Sequence, residues 1–139
     1  MTAKRFLDTD VLLYSISDDP RDGTKRDIAI ALVEQPDNAL SAQVLQEFYV
    51  QATRASRPNP LPHEVAVAFV RTWIERFSIQ DLTVSILDSA LEIKATTRLS
   101  YWDAAIVSAA RALGCTELLS EDMSHGRKIG GMTIVNPFR

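Results

Sequence analysis

The chain carries a single cysteine, Cys115, so no intrachain disulfide can hold its fold together. It also lacks an N-terminal basic stretch running into an apolar one, the mark of a secretory leader, and a reducing cytoplasm is the expected setting. No apolar run approaches the roughly 20 residues that a membrane helix needs, so no membrane partner is expected. Positive charge is not in excess: 15 Lys and Arg stand against 18 Asp and Glu, a formal net charge of −3. That balance excludes the long-range attraction for phosphate of a generally basic nucleic-acid binder. Any contact with RNA or DNA is therefore local, with Arg54, Arg57, Arg98, Arg127 and Lys128 as candidates among basic side chains that are otherwise solvated surface. Repeats, low-complexity segments and interdomain linkers are missing too. What is present, 139 residues at 46% hydrophobic, fits one compact domain over 1–139 with its own core.

Strand patterns alternate with helical ones along the chain. Arg5 to Asp8 reads as a short buried strand and Val11 to Ser17 as a helix after the Thr9-Asp10 corner. A helix over Asp27 to Glu34 precedes a brief strand, Ala39 to Ser41. Val44, Leu45, Phe48 and Ala52 then recur at helical spacing over Gln43 to Ala55. The proline cluster Pro58 to Pro62 ends that helix, and the next runs from His63 to Phe77. Ser78 to Gln80 is a third strand candidate; Val84 to Arg98 and Tyr101 to Leu113 are helical, the latter stopped by Gly114. Two more strands, Glu117 to Leu119 and Thr133 to Val135, flank a polar loop over Glu121 to Gly131. The alternation predicts a three-layer α/β/α fold with a short central parallel sheet. Phe48, Phe69, Trp73 and Trp102 fit helix-packing positions, and the apolar stripe over Val65 to Trp73 reads as core.

Four carboxylates sit where acids are rarely found unless paired or metal-bound. Asp8 ends the first strand, Glu47 and Asp103 interrupt apolar helical patterns, and Asp122 follows the strand Glu117 to Leu119. Ligands in such sheets bind beyond the carboxyl ends of the strands, where the topology would gather these acids into one pocket. Each has a bland reading beside that one. Asp103 lies three residues after Ser100 in a capping spacing, Asp10 can cap a helix beginning at Val11, Asp122 can be a turn residue, and Glu47 a solvated helix position. Taken together, the four outline a metal-dependent nuclease, because a pocket of like charges calls for divalent cations.

Phe6-Leu7-Asp8-Thr9-Asp10-Val11-Leu12-Leu13-Tyr14, Leu45-Gln46-Glu47-Phe48-Tyr49, Ser100-Tyr101-Trp102-Asp103-Ala104-Ala105-Ile106 and Leu119-Ser120-Glu121-Asp122-Met123, with His125-Gly126 and Asn136-Pro137-Phe138, resemble the PIN domain, specifically the VapC-type toxin nucleases. The resemblance spans nearly the whole chain. It implies a metal-dependent endoribonuclease with Asp8, Glu47, Asp103 and Asp122 as the acidic site, an RNA substrate, and a small antitoxin that blocks the site, with a basic side chain among the carboxylates. It also implies a homodimer in contact through helices of the N-terminal half. Asp10 departs from the pattern, since the family commonly has Asn there, and adds a fifth acid at the mouth.

Hard carboxylate oxygens without His or Cys select Mg²⁺ or Mn²⁺, one or two ions, over zinc. Asp8, on the most rigid mounting, is the expected bridging ligand; Asp103 and Asp122 bind directly, and Glu47 directly or through water. Thr9, Asp10 and Ser120 are expected to orient ligands or contact phosphate, and Arg98, Arg127 and Lys128 to contact RNA. His63 reads as surface, His125 as structural and Cys115 as a small buried apolar residue. Two other readings stand beside the nuclease. Asp8-Thr9-Asp10 resembles the Asp-x-Asp of haloacid-dehalogenase-type phosphatases, where the first Asp is a nucleophile, although Glu47 and Asp103 then go unexplained. The fold can also serve as an interaction module without catalysis.

Overall fold

The computed structural model describes residues 5–139; residues 1–4 of the expected domain lie outside the described residues. In chain order the elements are β1 (Arg5–Leu7), α1 (Thr9–Ser15), a 3-10 turn (Pro20–Asp22), α2 (Gly23–Val33), β2 (Asn38–Ser41) and α3 (Ala42–Thr53). They continue as α4 (His63–Arg76), β3 (Ser78–Gln80), α5 (Val84–Thr96), α6 (Tyr101–Ala112), β4 (Glu117–Leu119), β5 (Lys128–Ile129) and β6 (Met132–Val135). The strands form one sheet in the order β3-β2-β1-β4-β6-β5. All neighbours are parallel except the β5–β6 pair at the edge. The expected α/β/α architecture is thus borne out.

The strand order fixes where a site belongs. The chain steps outward from β1 to β2 to β3, then returns across the sheet to place β4 on the other side of β1. Right-handed crossovers put α1 to α4 on one face and α5 with α6 on the other. Packing agrees: α1 lies against α2 and α3, α3 against α4, and α5 against α6, which rests on β2 and β3. The strand order reverses between β1 and β4, and the crevice beyond their carboxyl ends is where such sheets bind ligands.

The core is the sheet and the helix faces turned to it. Phe6, Leu40, Leu118 and Ile134 are fully buried from the strands, as are Val11, Leu12, Val44 and Phe48 from α1 and α3. Phe48 meets Trp73 of α4 edge-on, with ring centroids 4.7 Å apart. Asn38 is buried at the start of β2 because its side-chain amide donates to the carbonyls of Leu32 and Gln35, stitching the end of α2 to the sheet.

Several expectations shift. Helix α1 begins at Thr9 rather than Val11, because Asp8 is its cap: the Asp8 backbone is extended and its carboxylate accepts from the Thr9 amide at 2.7 Å. Asp10 is therefore a first-turn residue, not the cap. Helix α2 starts at Gly23, four residues before Asp27, prepared by the 3-10 turn in a stretch with little apolar periodicity. The segment read as a loop over Glu121 to Gly131 contains β5, two residues too short to show a period; Gly130 at φ +60° turns it back into β6.

Trp102 is not core. It is 65% exposed on the first turn of α6, beside Tyr101 and the exposed Leu82, Val84 and Leu87. The buried run Ala104 to Ala110 supplies the packing surface of α6 without it. The Val65 to Trp73 stripe is core only in part: Ala66 and Trp73 are buried, while Val65 is exposed in a groove between α2 and α4. Helix α4 is an outer helix packed mainly on α3, so one flank stays open. No helix among the described residues is long and apolar enough to cross a membrane.

Candidate active site

Five acids reach the β1/β4 crevice from four directions. Asp8 caps α1 at the end of β1, and Asp10 lies one residue into that helix. Asp122 follows β4 in the next loop. Helix α6 runs back against the strands, so its N-terminus, with Asp103 in the first turn, comes to the same edge. Glu47 projects from the middle of α3, the helix that follows β2.

A network of hydroxyls and amides sets their orientation. The Ser120 hydroxyl donates to Asp8 Oδ2 at 2.8 Å and accepts from the Asp122 amide at 3.2 Å, linking the two strand ends. The Thr9 hydroxyl donates to Glu47 Oε1 at 3.3 Å. Ser120 is fully buried and Thr9 nearly so, which makes them fixed hydrogen-bonding partners of carboxylates. Ser100 accepts from the Asp103 amide at 3.1 Å, so the capping reading of Ser100-x-x-Asp103 is realised through the serine and leaves the Asp103 carboxylate half-exposed. Asp103 is thus less deeply placed than its apolar helix suggested, because the first turn overhangs the sheet edge. Gln43 escaped the sequence reading. Its side-chain amide reaches both Glu47 Oε1 at 3.4 Å and the Trp102 carbonyl at 3.3 Å, joining α3 to α6 beside two of the acids. Its only signal was its place one helical turn before Glu47.

Asp8, Asp10, Glu47 and Asp103 share an environment that disfavours their charge. Burial pushes Asp8 up to about 6, against the Ser120 and Thr9 hydrogen bonds and with help from the charges of Asp103 and Glu47. Burial, then the charge of Asp8, drives Asp10 up to about 7, with Asp122 and Glu121 adding to it. Glu47 and Asp103 are also raised, chiefly by burial; Asp103 adds to the shift of Glu47, and Asp122 to that of Asp103. Each of these four therefore feels at least one other acid.

Among the described residues, no three His, Cys, Asp or Glu side chains converge closely enough to enclose a metal ion as they stand. The donors nevertheless fit a hard divalent cation. They are all carboxylate oxygens, no Lys or Arg pairs with Asp8, Asp10, Glu47, Asp103 or Asp122 among the described salt bridges, and Asp10 Oδ1 is buried with no hydrogen-bond partner. Asp8 accepts a hydrogen bond at each of its oxygens, from the Thr9 amide and the Ser120 hydroxyl, whereas Asp10 uses one oxygen for the Glu121 amide.

Glu121, next to Asp122, faces elsewhere. Its carboxylate takes the Tyr14 hydroxyl at 2.6 Å and the Lys25 ammonium at 2.5 Å. Burial pushes it up, but the Lys25 and Tyr14 hydrogen bonds outweigh burial and hold it below the ordinary range. A cleft of about 240 Å³ opens beside the acids, lined by Asp10, Tyr14, Arg57, Glu121 and Asp122 among others. Among the described residues, Arg57 is its one basic lining residue. Arg98, Arg127 and Lys128 are not among the residues lining it. His125 accepts the Asn136 amide at 2.9 Å and His63 pairs with the Tyr49 hydroxyl, local roles for both. Cys115 is buried, which pushes its thiol up to about 11.

The PIN domain family model matches residues 5–128. The chain belongs to the PIN domain family. The resemblance read from the four sequence stretches is borne out, and the haloacid-dehalogenase reading loses its footing. Solved PIN-type structures share the fold at low identity. A toxin–antitoxin complex from Klebsiella pneumoniae is 20% identical, with 96% of this chain and 98% of that one covered at a TM-score of 0.67. VapC20 of Mycobacterium tuberculosis, described as a sarcin-ricin loop cleaving toxin, is 20% identical over 83% of this chain and 87% of its own at 0.62. A DNA-bound VapBC from Salmonella typhimurium is 20% identical over 95% and 96%, at 0.63. No curated protein matches the chain in sequence.

Proposed function

We propose that this PIN domain is a divalent-metal-dependent endoribonuclease, the toxin of a VapC-type toxin–antitoxin pair. The observation that carries the reading is the arrival of Asp8, Glu47, Asp103 and Asp122, each on a different element, at one strand-end crevice where each is electrostatically linked to another. A pocket of that kind repels a phosphodiester unless cations stand between, and Mg²⁺ or Mn²⁺ there supplies a charge sink for the scissile phosphate and the activation of a water. Asp8, Glu47, Asp103 and Asp122 are the residues that hold the ion or ions. Ser120 and Thr9 keep Asp8 and Glu47 aimed, Gln43 keeps α3 and α6 in register, and Arg57 at the mouth of the cleft is placed to meet a neighbouring phosphate. No protein nucleophile is required.

RNA as substrate is supported by the description of the M. tuberculosis relative, and a cognate antitoxin by those of the K. pneumoniae and S. typhimurium complexes. A homodimer and a cytoplasmic setting belong to the same reading. Antitoxin-free protein incubated with end-labelled structured RNA in Mg²⁺, Mn²⁺ or EDTA, beside a folded Asp103→Asn control, tests it. Discrete cleavage that needs the metal and disappears with Asp103→Asn is the expected result. Hydrolysis of p-nitrophenyl phosphate that survives Asp103→Asn would restore the phosphatase, and no turnover of any substrate would leave a binding module.

A further inference from the structure

The loop after β4 carries two acids in succession, Glu121 and Asp122, and only Glu121 is held by a salt bridge among the described residues, to Lys25. We propose that Lys25, Tyr14 and Glu121 form a clamp that fixes this loop, so that Asp10 and Asp122 are held at the acidic site by residues that are not themselves metal ligands. The proposal rests on the nuclease reading and deepens it by naming its positioning residues.

Both oxygens of Glu121 are committed. Oε1 accepts from the Tyr14 hydroxyl at 2.6 Å and Oε2 from the Lys25 ammonium at 2.5 Å. The third side of the triangle is closed by Lys25, which donates to the Tyr14 hydroxyl at 3.3 Å and lies 5.1 Å from the centre of its ring. The Tyr14 ring is braced in turn by Phe138, edge-on at 4.9 Å. The main chain of the same residue points the other way. The Glu121 amide donates to Asp10 Oδ2 at 2.8 Å, and the next amide, of Asp122, donates to Ser120 Oγ, which itself donates to Asp8. One carboxylate pinned by α1 and α2 therefore fixes two consecutive amides that orient Asp10 and Ser120. The pairing with Lys25 and Tyr14 occupies both Glu121 oxygens and so keeps them out of the ligand set.

Global stability is a poor explanation of the clamp. Lys25 is 40% and Glu121 25% exposed at the side chain, and ion pairs so placed contribute little to folding. Groups that orient ligands, by contrast, change metal affinity or activity by about 10- to 100-fold when lost.

The test compares wild type with Lys25→Met, Glu121→Gln, the double variant and Lys25→Arg. Mn²⁺ binding to the metal-free protein is read by calorimetry, and RNA cleavage by kcat and KM. Lys25→Met and Glu121→Gln are each expected to weaken Mn²⁺ binding and lower kcat by roughly tenfold at unchanged KM, with melting temperatures within about 2 °C of wild type. The double variant should be no worse than either single one, because both break the same unit. Lys25→Arg should restore most of the loss. Wild-type Mn²⁺ affinity and kcat in both single variants, or losses that multiply in the double variant, overturn the clamp. Tighter Mn²⁺ binding by Lys25→Met also overturns it, since that is the result of removing a nearby positive charge and nothing more. If wild type cleaves no RNA, the nuclease reading falls, while the Mn²⁺ isotherms still decide the clamp.

Discussion

Asp8→Asn is expected to abolish metal-dependent RNA cleavage while making the metal-free protein more stable at neutral pH. Asn keeps an oxygen to accept from the Thr9 amide, so the cap on α1 survives, while its Nδ2 reverses the link to β4 by donating to the Ser120 hydroxyl from which Asp8 now accepts. It removes the charge that a divalent cation would meet at the most buried of the five acids. Losing one such ligand costs several kcal/mol of transition-state stabilisation, roughly a thousandfold or more in rate. The gain in stability follows from burial, which raises Asp8 to about 6 and makes its ionised form costly in the fold. Thermal melts at pH 7.5 with EDTA, alongside the RNA assay, check both halves. A variant that is inactive but less stable than wild type would mean that Asp8 is a structural cap first and a ligand second.

The second large effect is a pH dependence with an unusual sign. Most carboxylates in folded proteins lend stability as pH rises, but Asp8 and Asp10 do the reverse, because burial lifts their folded values, to about 6 and about 7, above the ordinary value of 3.8. Below about pH 3 both are largely neutral in either state and cost almost nothing. As pH rises toward 7 the unfolded chain gives up its protons first, and the folded form loses stability until both acids are ionised. At about 1.4 kcal/mol per pH unit of displacement, the two acids together cost on the order of 7 kcal/mol near pH 8. Asp19 and Glu121, whose values are lowered, work in the opposite direction, so the comparison must be differential. The melting temperature of Asp10→Asn minus that of wild type, without metal, should be near zero at about pH 3 and grow through pH 7. Mn²⁺ should shrink the gap by neutralising the same acids. A difference that is flat with pH would show Asp10 to be ionised at no cost.

How much of this was legible in the sequence depends on the range of the physics involved. The strand and helix order is written in local periodicity, the strand-end rule pointed Asp8, Glu47 and Asp122 to one edge, and the apolar pattern of its helix pointed Asp103 toward the strand ends. What periodicity could not carry was misplaced: β5 has only two residues, and α2 opens on a Gly-Thr-Lys-Arg stretch without an apolar face. Trp102 satisfied the spacing of a buried face, yet α6 fills its packing surface with small residues and leaves the indole in solvent. Asp10 was weighed as a cap because caps are a local matter. Its actual partner, the Glu121 amide, is 111 residues away, and only the pairing of β1 with β4 brings the two together. Gln43, Lys25 and Tyr14 were silent for the same reason: ordinary residues on ordinary helices, given meaning by what folding sets opposite them.

The shared acidic site is tested most directly by soaking crystals of the protein in Mn²⁺ and collecting anomalous diffraction. One or two peaks are expected in the β1/β4 crevice, about 2.0–2.4 Å from carboxylate oxygens of Asp8 and of at least one of Asp103 and Asp122, with Glu47 bound directly or through water. No peak in that crevice at saturating Mn²⁺, or a peak held by Glu121 and Asp22 instead, would contradict the assignment of these four acids to one metal site.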